Sequence, residues 1–201
     1  YTRTSKKPKE RFRGSDIYRI NISPLVYKYK ALALLLPHYF NFWKRHLQEL
    51  LSTKSYDLIH FHDLPLAKVC IEAGKKFKLP VIGDYHENRP EIMKMYHHVR
   101  SFPGNLLIST RQWEKYQEKL TPQLDQLILI TPEAREQYRK KYNIPENKIS
   151  IVPNYPDVKK LKSYRIEQTI VKKYRNKFGI VYFGDTGLRR GTMTLLEAAE
   201  I

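Results

Sequence analysis

The chain has 201 residues, 41% hydrophobic and 28% charged, with a formal net charge of +17. That mixture suits one sizeable core, or one domain plus a piece of another, and excludes disorder throughout. The single cysteine, Cys70, excludes an internal disulfide framework and a cysteine-built metal site, and fits a reducing compartment.

In chain order, the first feature is charge. Arg3, Lys6, Lys7, Lys9, Arg11 and Arg13 crowd an opening that is polar and therefore unlike a signal peptide. Such a field attracts nucleic acid, anionic headgroups or phosphorylated substrates, or it is a solvated loop. A strand is predicted over residues 17–22. The apolar run 31–36 is ended by Pro37, far short of the roughly 20 residues that a membrane span needs. Residues 40–51 read as an amphipathic helix with Trp43, Leu47, Leu50 and Leu51 on one face. A core helix competes here with a segment, 30–51, lying along a membrane surface.

From residue 58 onward, short apolar or β-branched runs alternate with amphipathic stretches, as in βα units around a parallel sheet. Strands are predicted at 58–62, 81–84, 126–130, 149–152 and 178–183, and helices at 66–77, 105–120, 132–142 and from about 191. Thr131 is a natural cap for the helix at 132, and Pro132 suits its first position. Apolar periodicity fades over 155–177, where Lys159, Lys160, Lys162, Arg165, Lys172, Lys173, Arg175 and Lys177 accumulate. The expected domains are 1–157, a basic linker 158–177, and the start of a second domain at 178–201.

Four segments carry chemistry. YDLIHFHDLP (56–65) delivers His62 and Asp63 beyond a strand's C-terminal end, where open parallel sheets bind ligands. His60 and His62 share a strand face, but no third metal ligand is nearby in sequence, so no metal is expected. LPVIGDYHENRPE (79–91) brings Asp84, His86 and Glu87 to the same rim; a histidine beside two carboxylates can orient, donate or accept protons, and a hydrogen-bonded turn is the alternative. ISIVPNYPD (149–157) sets Asn154 in a proline-stiffened loop, as a ligand contact or a simple turn. GIVYFGDTGLRRGTMTLLEAAE (179–200) joins a strand, a loop with Gly184, Gly187 and Gly191, and a helix start. Its amides favour phosphate, and Arg189 or Arg190 can clamp one. It is neither a GxGxxG fingerprint nor a Walker P-loop.

Together and in this order, the segments resemble the family 4 glycosyltransferases of the GT-B fold, most closely bacterial enzymes of envelope polysaccharide synthesis. IHFHD is similar to the strand-end motif of that family's N-terminal domain, DYHENRPE to its D-x-H-E-x-x-P-E loop, and VPNYPD to the segment before its linker. YFGDTGLRRGTMTLLEA is similar to the opening of its donor-binding domain. The resemblance implies two α/β Rossmann-like domains facing a cleft, and transfer of a sugar, with retention, from a nucleotide-sugar donor to a saccharide or lipid-linked acceptor. It implies no cofactor and no strictly required metal, since positive side chains and helix dipoles stabilise the leaving diphosphate. It makes His86 the catalytic cleft histidine, with His62, Asp63, Glu87 and Asn154 on the acceptor side. Gly184, Arg189, Arg190 and Gly191 then bind the donor phosphates. Asp185 departs from the family pattern, since many relatives carry arginine there and a carboxylate repels diphosphate.

The resemblance further implies elements upstream of Tyr1 and a glutamate motif beyond Ile201, so that the first sheet lacks a central strand and the chain alone has little or no activity. A cytoplasmic location is expected, peripheral on the inner membrane face, with anionic lipid as a partner for the basic charge. A basic nucleic-acid-binding protein and a GT-B nucleotide-sugar epimerase are the alternatives. The first lacks RNA-recognition, KH and zinc-finger signatures, so no nucleic acid is expected.

Overall fold

The computed structural model describes residues 7–165, 167–187 and 190–199. The chain forms two compact units that divide after Pro153.

The first unit opens with an antiparallel hairpin of β1 (Lys9–Phe12) and β2 (Ser15–Tyr18). Arg13 and Gly14 form its two-residue loop with φ of 47° and 84°, the paired positive φ values that match strand twist in tight hairpins. The strand predicted over 17–22 is therefore displaced: it begins at Ser15 and pairs locally, outside the parallel sheet. Glu10 and Arg19 form an ion pair beside it.

A short helix α1 (Pro24–Lys28) leads to α2 (His38–Thr53). On α2, Tyr39, Phe40 and Leu51 are buried, and Trp43 and Leu47 pack against the core. Lys44 also reaches Glu72 at 2.9 Å. The apolar face is thus occupied by protein, as the core-helix reading of this segment expects. Among the described residues, no helix is long and apolar enough to cross a membrane.

The remaining elements are β3 (Ile59–His62), α3 (Ala67–Phe77), β4 (Val81–Tyr85), α4 (Arg89–Met93), α5 (His97–Arg100), α6 (Gly104–Leu107), α7 (Thr110–Leu120), β5 (Gln126–Leu129), α8 (Pro132–Tyr142) and β6 (Ile149–Ile151). The four strands β3-β4-β5-β6 form one parallel sheet in chain order, with helical connections between them. This is the expected α/β Rossmann-like arrangement. The helix predicted over 105–120 is two helices, because Ile108 is extended and Ser109 caps α7 by accepting the Gln112 N–H at 3.2 Å. Thr131 caps α8 as predicted, accepting the Ala134 N–H at 3.1 Å.

Alternation divides the sheet's residues between its faces. Ile59, Phe61, Val81, Tyr85, Leu127 and Leu129 belong to the buried core, with Trp113 of α7 and Tyr138 of α8. Helix and strand approach so closely at Gly74 that an added Cβ would lie 2.3 Å from Val81 Cγ2 and 2.8 Å from the Leu79 carbonyl oxygen. Only a residue without a side chain fits there. Cys70 is buried in the same layer, and burial pushes its thiol up to about 12. At neutral pH it is a packing residue rather than a nucleophile. Iodoacetamide is expected to leave native Cys70 unmodified and to label it rapidly in denaturant, as read by intact mass. Rapid native labelling would contradict this burial.

In the second unit, α9 (Val158–Ser163) is capped by Asp157, which accepts the N–H groups of Lys159 and Lys160 at 3.0 and 3.2 Å. α10 (Gln168–Tyr174) and α11 (Thr192–Ala199) follow. The stretch expected to be a linker therefore holds two short helices, with Lys159, Lys160, Lys162, Lys172 and Lys173 all exposed. The strand predicted over 178–183 is absent. A strand is held by hydrogen bonds to a neighbour, and among the described residues none pairs with this run; Phe178 is 95% and Phe183 100% exposed.

Candidate functional site

The C-terminal ends of β3 and β4 gather the polar groups. Their register sets His60 against Ile82 and His62 against Asp84, so His60, His62 and Asp84 share one sheet face, opposite Phe61 and Gly83. Asp84 is buried and stands at the centre of three imidazoles. Its Oδ2 lies 3.4 Å from His60 Nε2 and 3.1 Å from His62 Nδ1, while its Oδ1 lies 3.3 Å from His86 Nε2. His62 Nδ1 and His86 Nε2 are 3.3 Å apart. One ligand atom from each of His60, His62 and Asp84 falls within 4.8 Å of the others.

Asp63 follows at once, with φ 67° and ψ 147°. That conformation costs a non-glycine residue about 1–3 kcal/mol, and such strain concentrates at functional sites. The Asp63 N–H donates to the Asp84 carbonyl at 2.9 Å and so locks the turn to β4. Its Oδ1 is buried and finds no hydrogen-bond partner among the described residues. Glu87 pairs with Arg89 at 3.1 Å, and that guanidinium lies over the Tyr96 ring at 5.8 Å. Burial lowers the Lys30 ammonium from its ordinary range, and the Arg89 charge lowers it further; Asp63 and Glu87 oppose both effects. The Glu87–Arg89 pair thus follows His86 directly, and Lys30 is subject to its charges and to that of Asp63.

His86 and Glu87 also line a cavity of about 130 Å³ with Thr131, Gln137 and Tyr138. A larger cavity, about 560 Å³, lies between helices at Phe40, Lys68 and Tyr116, and contains none of the predicted site residues.

The structure therefore brings together His62, Asp63, His86 and Glu87. Asn154 is exposed and begins the second unit. Sequence reasoning missed Lys30 and Arg89. Arg89 was discoverable as the cation two residues after Glu87, whereas nothing in the sequence pointed to Lys30.

In the second unit, Gly191 has φ +72°, a left-handed conformation suited to glycine, directly before α11. Asp185 Oδ1 accepts the Gly187 N–H at 3.0 Å, and its Oδ2 lies 3.8 Å from Arg190 Nε. The Thr192 hydroxyl donates to the Thr186 carbonyl at 2.9 Å. Asp185 is thus engaged as a turn-former in the loop that carries Gly184 and Arg190. Arg189 lies outside the described residues.

Two comparisons bear on this geometry. A family model described as Glycosyltransferase Family 4 matches residues 1–160. No curated protein matches the chain.

Proposed function

The chain belongs to glycosyltransferase family 4, and on that premise we propose that it forms the acceptor side of a retaining sugar-transfer site and the opening of the donor side. The observation that carries the reading is Asp84 holding His86 at the C-terminal rim of the parallel sheet, 3.3 Å from carboxylate to imidazole. A carboxylate fixes both the tautomer and the orientation of a histidine, leaving its other face to exchange protons or hydrogen bonds with a substrate. His62, Asp63, Glu87 and Asn154 are assigned to the acceptor. Residues 1–157 are assigned to the acceptor domain, 158–177 to a basic linker and 178 onward to the opening of the donor domain.

Gly184, Arg189, Arg190 and Gly191 are assigned to the donor diphosphate. The N-terminal end of the α11 dipole and a guanidinium supply positive charge where the leaving group becomes more negative. The acceptor is a saccharide or lipid-linked glycan of the cell envelope. The exposed lysines of α9 and α10 suit peripheral attachment to an anionic membrane on its cytoplasmic face.

The test is a calorimetric titration of UDP- and GDP-sugars into a chain carrying the whole donor domain. Arg190→Ala is expected to weaken donor binding about 10- to 100-fold, the cost of one lost charged hydrogen bond. Unaltered donor affinity would remove Arg190 from the phosphate site, and no response to any nucleotide-sugar would overturn the transfer reading.

A further inference from the structure

We propose that His60, His62 and Asp84 form a binding site for a divalent transition-metal ion, Zn²⁺ foremost, with His86 supporting the carboxylate from its other oxygen. The proposal stands beside the transfer reading and does not depend on it.

The first support is geometric. A tetrahedral zinc site with ligands about 2.0–2.1 Å from the metal has ligand–ligand edges of about 3.3–3.4 Å. His60 Nε2 and His62 Nδ1 stand 3.4 and 3.1 Å from the same Asp84 oxygen. The rigid part of the fold sets these distances: two histidines at alternate positions of β3, and a carboxylate brought opposite His62 by strand register. The third ligand is 22 residues from His62 in sequence and adjacent to it across the ladder.

The second support is proton accounting. A neutral imidazole nitrogen carries either a proton or a lone pair. His62 Nδ1 faces both Asp84 Oδ2 and His86 Nε2, and His86 Nε2 faces both His62 Nδ1 and Asp84 Oδ1. If both nitrogens donate to Asp84, two N–H groups oppose each other at 3.3 Å. If either accepts from the other, its lone pair meets the carboxylate. A cation removes the conflict. It takes the lone pairs of His60 Nε2, His62 Nδ1 and Asp84 Oδ2, while His86 Nε2–H donates to Asp84 Oδ1 as an outer-shell hydrogen bond of the usual kind.

Ligand type and access select the ion. Two imidazoles and one carboxylate suit Zn²⁺, Co²⁺ or Ni²⁺, whereas Mg²⁺ and Ca²⁺ require a shell of oxygens. The side chains of His60 and His62 are 41% and 62% exposed, so an ion can enter from solvent and either residue can be replaced without opening the core.

The experiment is equilibrium dialysis of the chain against ZnCl₂, with CoCl₂ binding followed by visible absorption and MgCl₂ as a competitor. One equivalent of Zn²⁺ is expected, undisplaced by Mg²⁺, with the intense absorption of low-coordinate Co²⁺. His60→Ala and His62→Ala should each weaken binding by at least about 10- to 100-fold, the loss that even an outer-shell partner's removal causes. Far-UV circular dichroism would verify that both variants fold. The proposal is overturned by any of three results. These are no stoichiometric binding, binding unchanged in both variants, or binding that instead depends on His97 and His98. No sugar nucleotide enters the assay, so its result is separate from that of the transfer reading.

Discussion

In a chain carrying the whole donor domain, replacing His86 by alanine is expected to lower turnover about 10²- to 10⁴-fold, the usual contribution of a positioned acid–base side chain. The imidazole is partly exposed, and its polar neighbours are Asp84 and His62 rather than core residues, so the loss falls on chemistry and not on folding. Asp84→Asn separates orientation from the imidazole itself. An amide can still meet His86 but offers no charge, so turnover should fall less than in His86→Ala, and KM for the acceptor should change little. Steady-state kinetics with a nucleotide-sugar donor would measure both variants. Turnover unchanged in His86→Ala would exclude His86 from the reaction.

The sequence shows the scaffold of this site more clearly than its contacts. Strands near 58–62, 81–84, 126–130 and 149–152 are legible because β-branched and apolar residues cluster there between turn formers. The start of α8 is legible because Thr131 and Pro132 leave one reasonable cap. Other features depend on information that periodicity lacks. Arg13 and Gly14 close a local hairpin, which shifts the first strand. Ser109 competes for the helix backbone and divides residues 105–120. The run at 178–183 has strand composition but no neighbour to bond with among the described residues. In the site, His62, His86 and Glu87 are visible as chemistry-bearing residues at strand ends. The place of Asp84 among three histidines is not, because it follows from the register of β3 against β4. Lys30 is invisible for the same reason: its ammonium is lowered first by burial and then by Arg89, against the opposing charges of Asp63 and Glu87, all distant in sequence.

Trp113→Ala is expected to destabilise the first unit by about 3–5 kcal/mol, the cost of removing a large buried aromatic and leaving a cavity. Net stabilities of domains are only about 5–15 kcal/mol, so the urea midpoint should fall steeply. The expectation rests on the complete burial of Trp113. The sequence of α7, TRQWEKYQEKL, is mostly polar, and only Trp113, Gln117 and Leu120 are buried, at the i, i+4, i+7 spacing of one helix face. Trp113 is 1% exposed and meets Tyr116 edge-on at 5.3 Å. Tyr116 in turn accepts the Lys68 N–H at 3.1 Å, and Gln117 donates to the Tyr138 hydroxyl at 2.6 Å. Those polar links tie α7 to α3 and α8. Trp113→Phe retains an aromatic ring and should recover much of the loss. A loss below about 1 kcal/mol in Trp113→Ala, within the range of ordinary surface substitutions and small effects, would mean that α7 is not seated on the sheet through this residue.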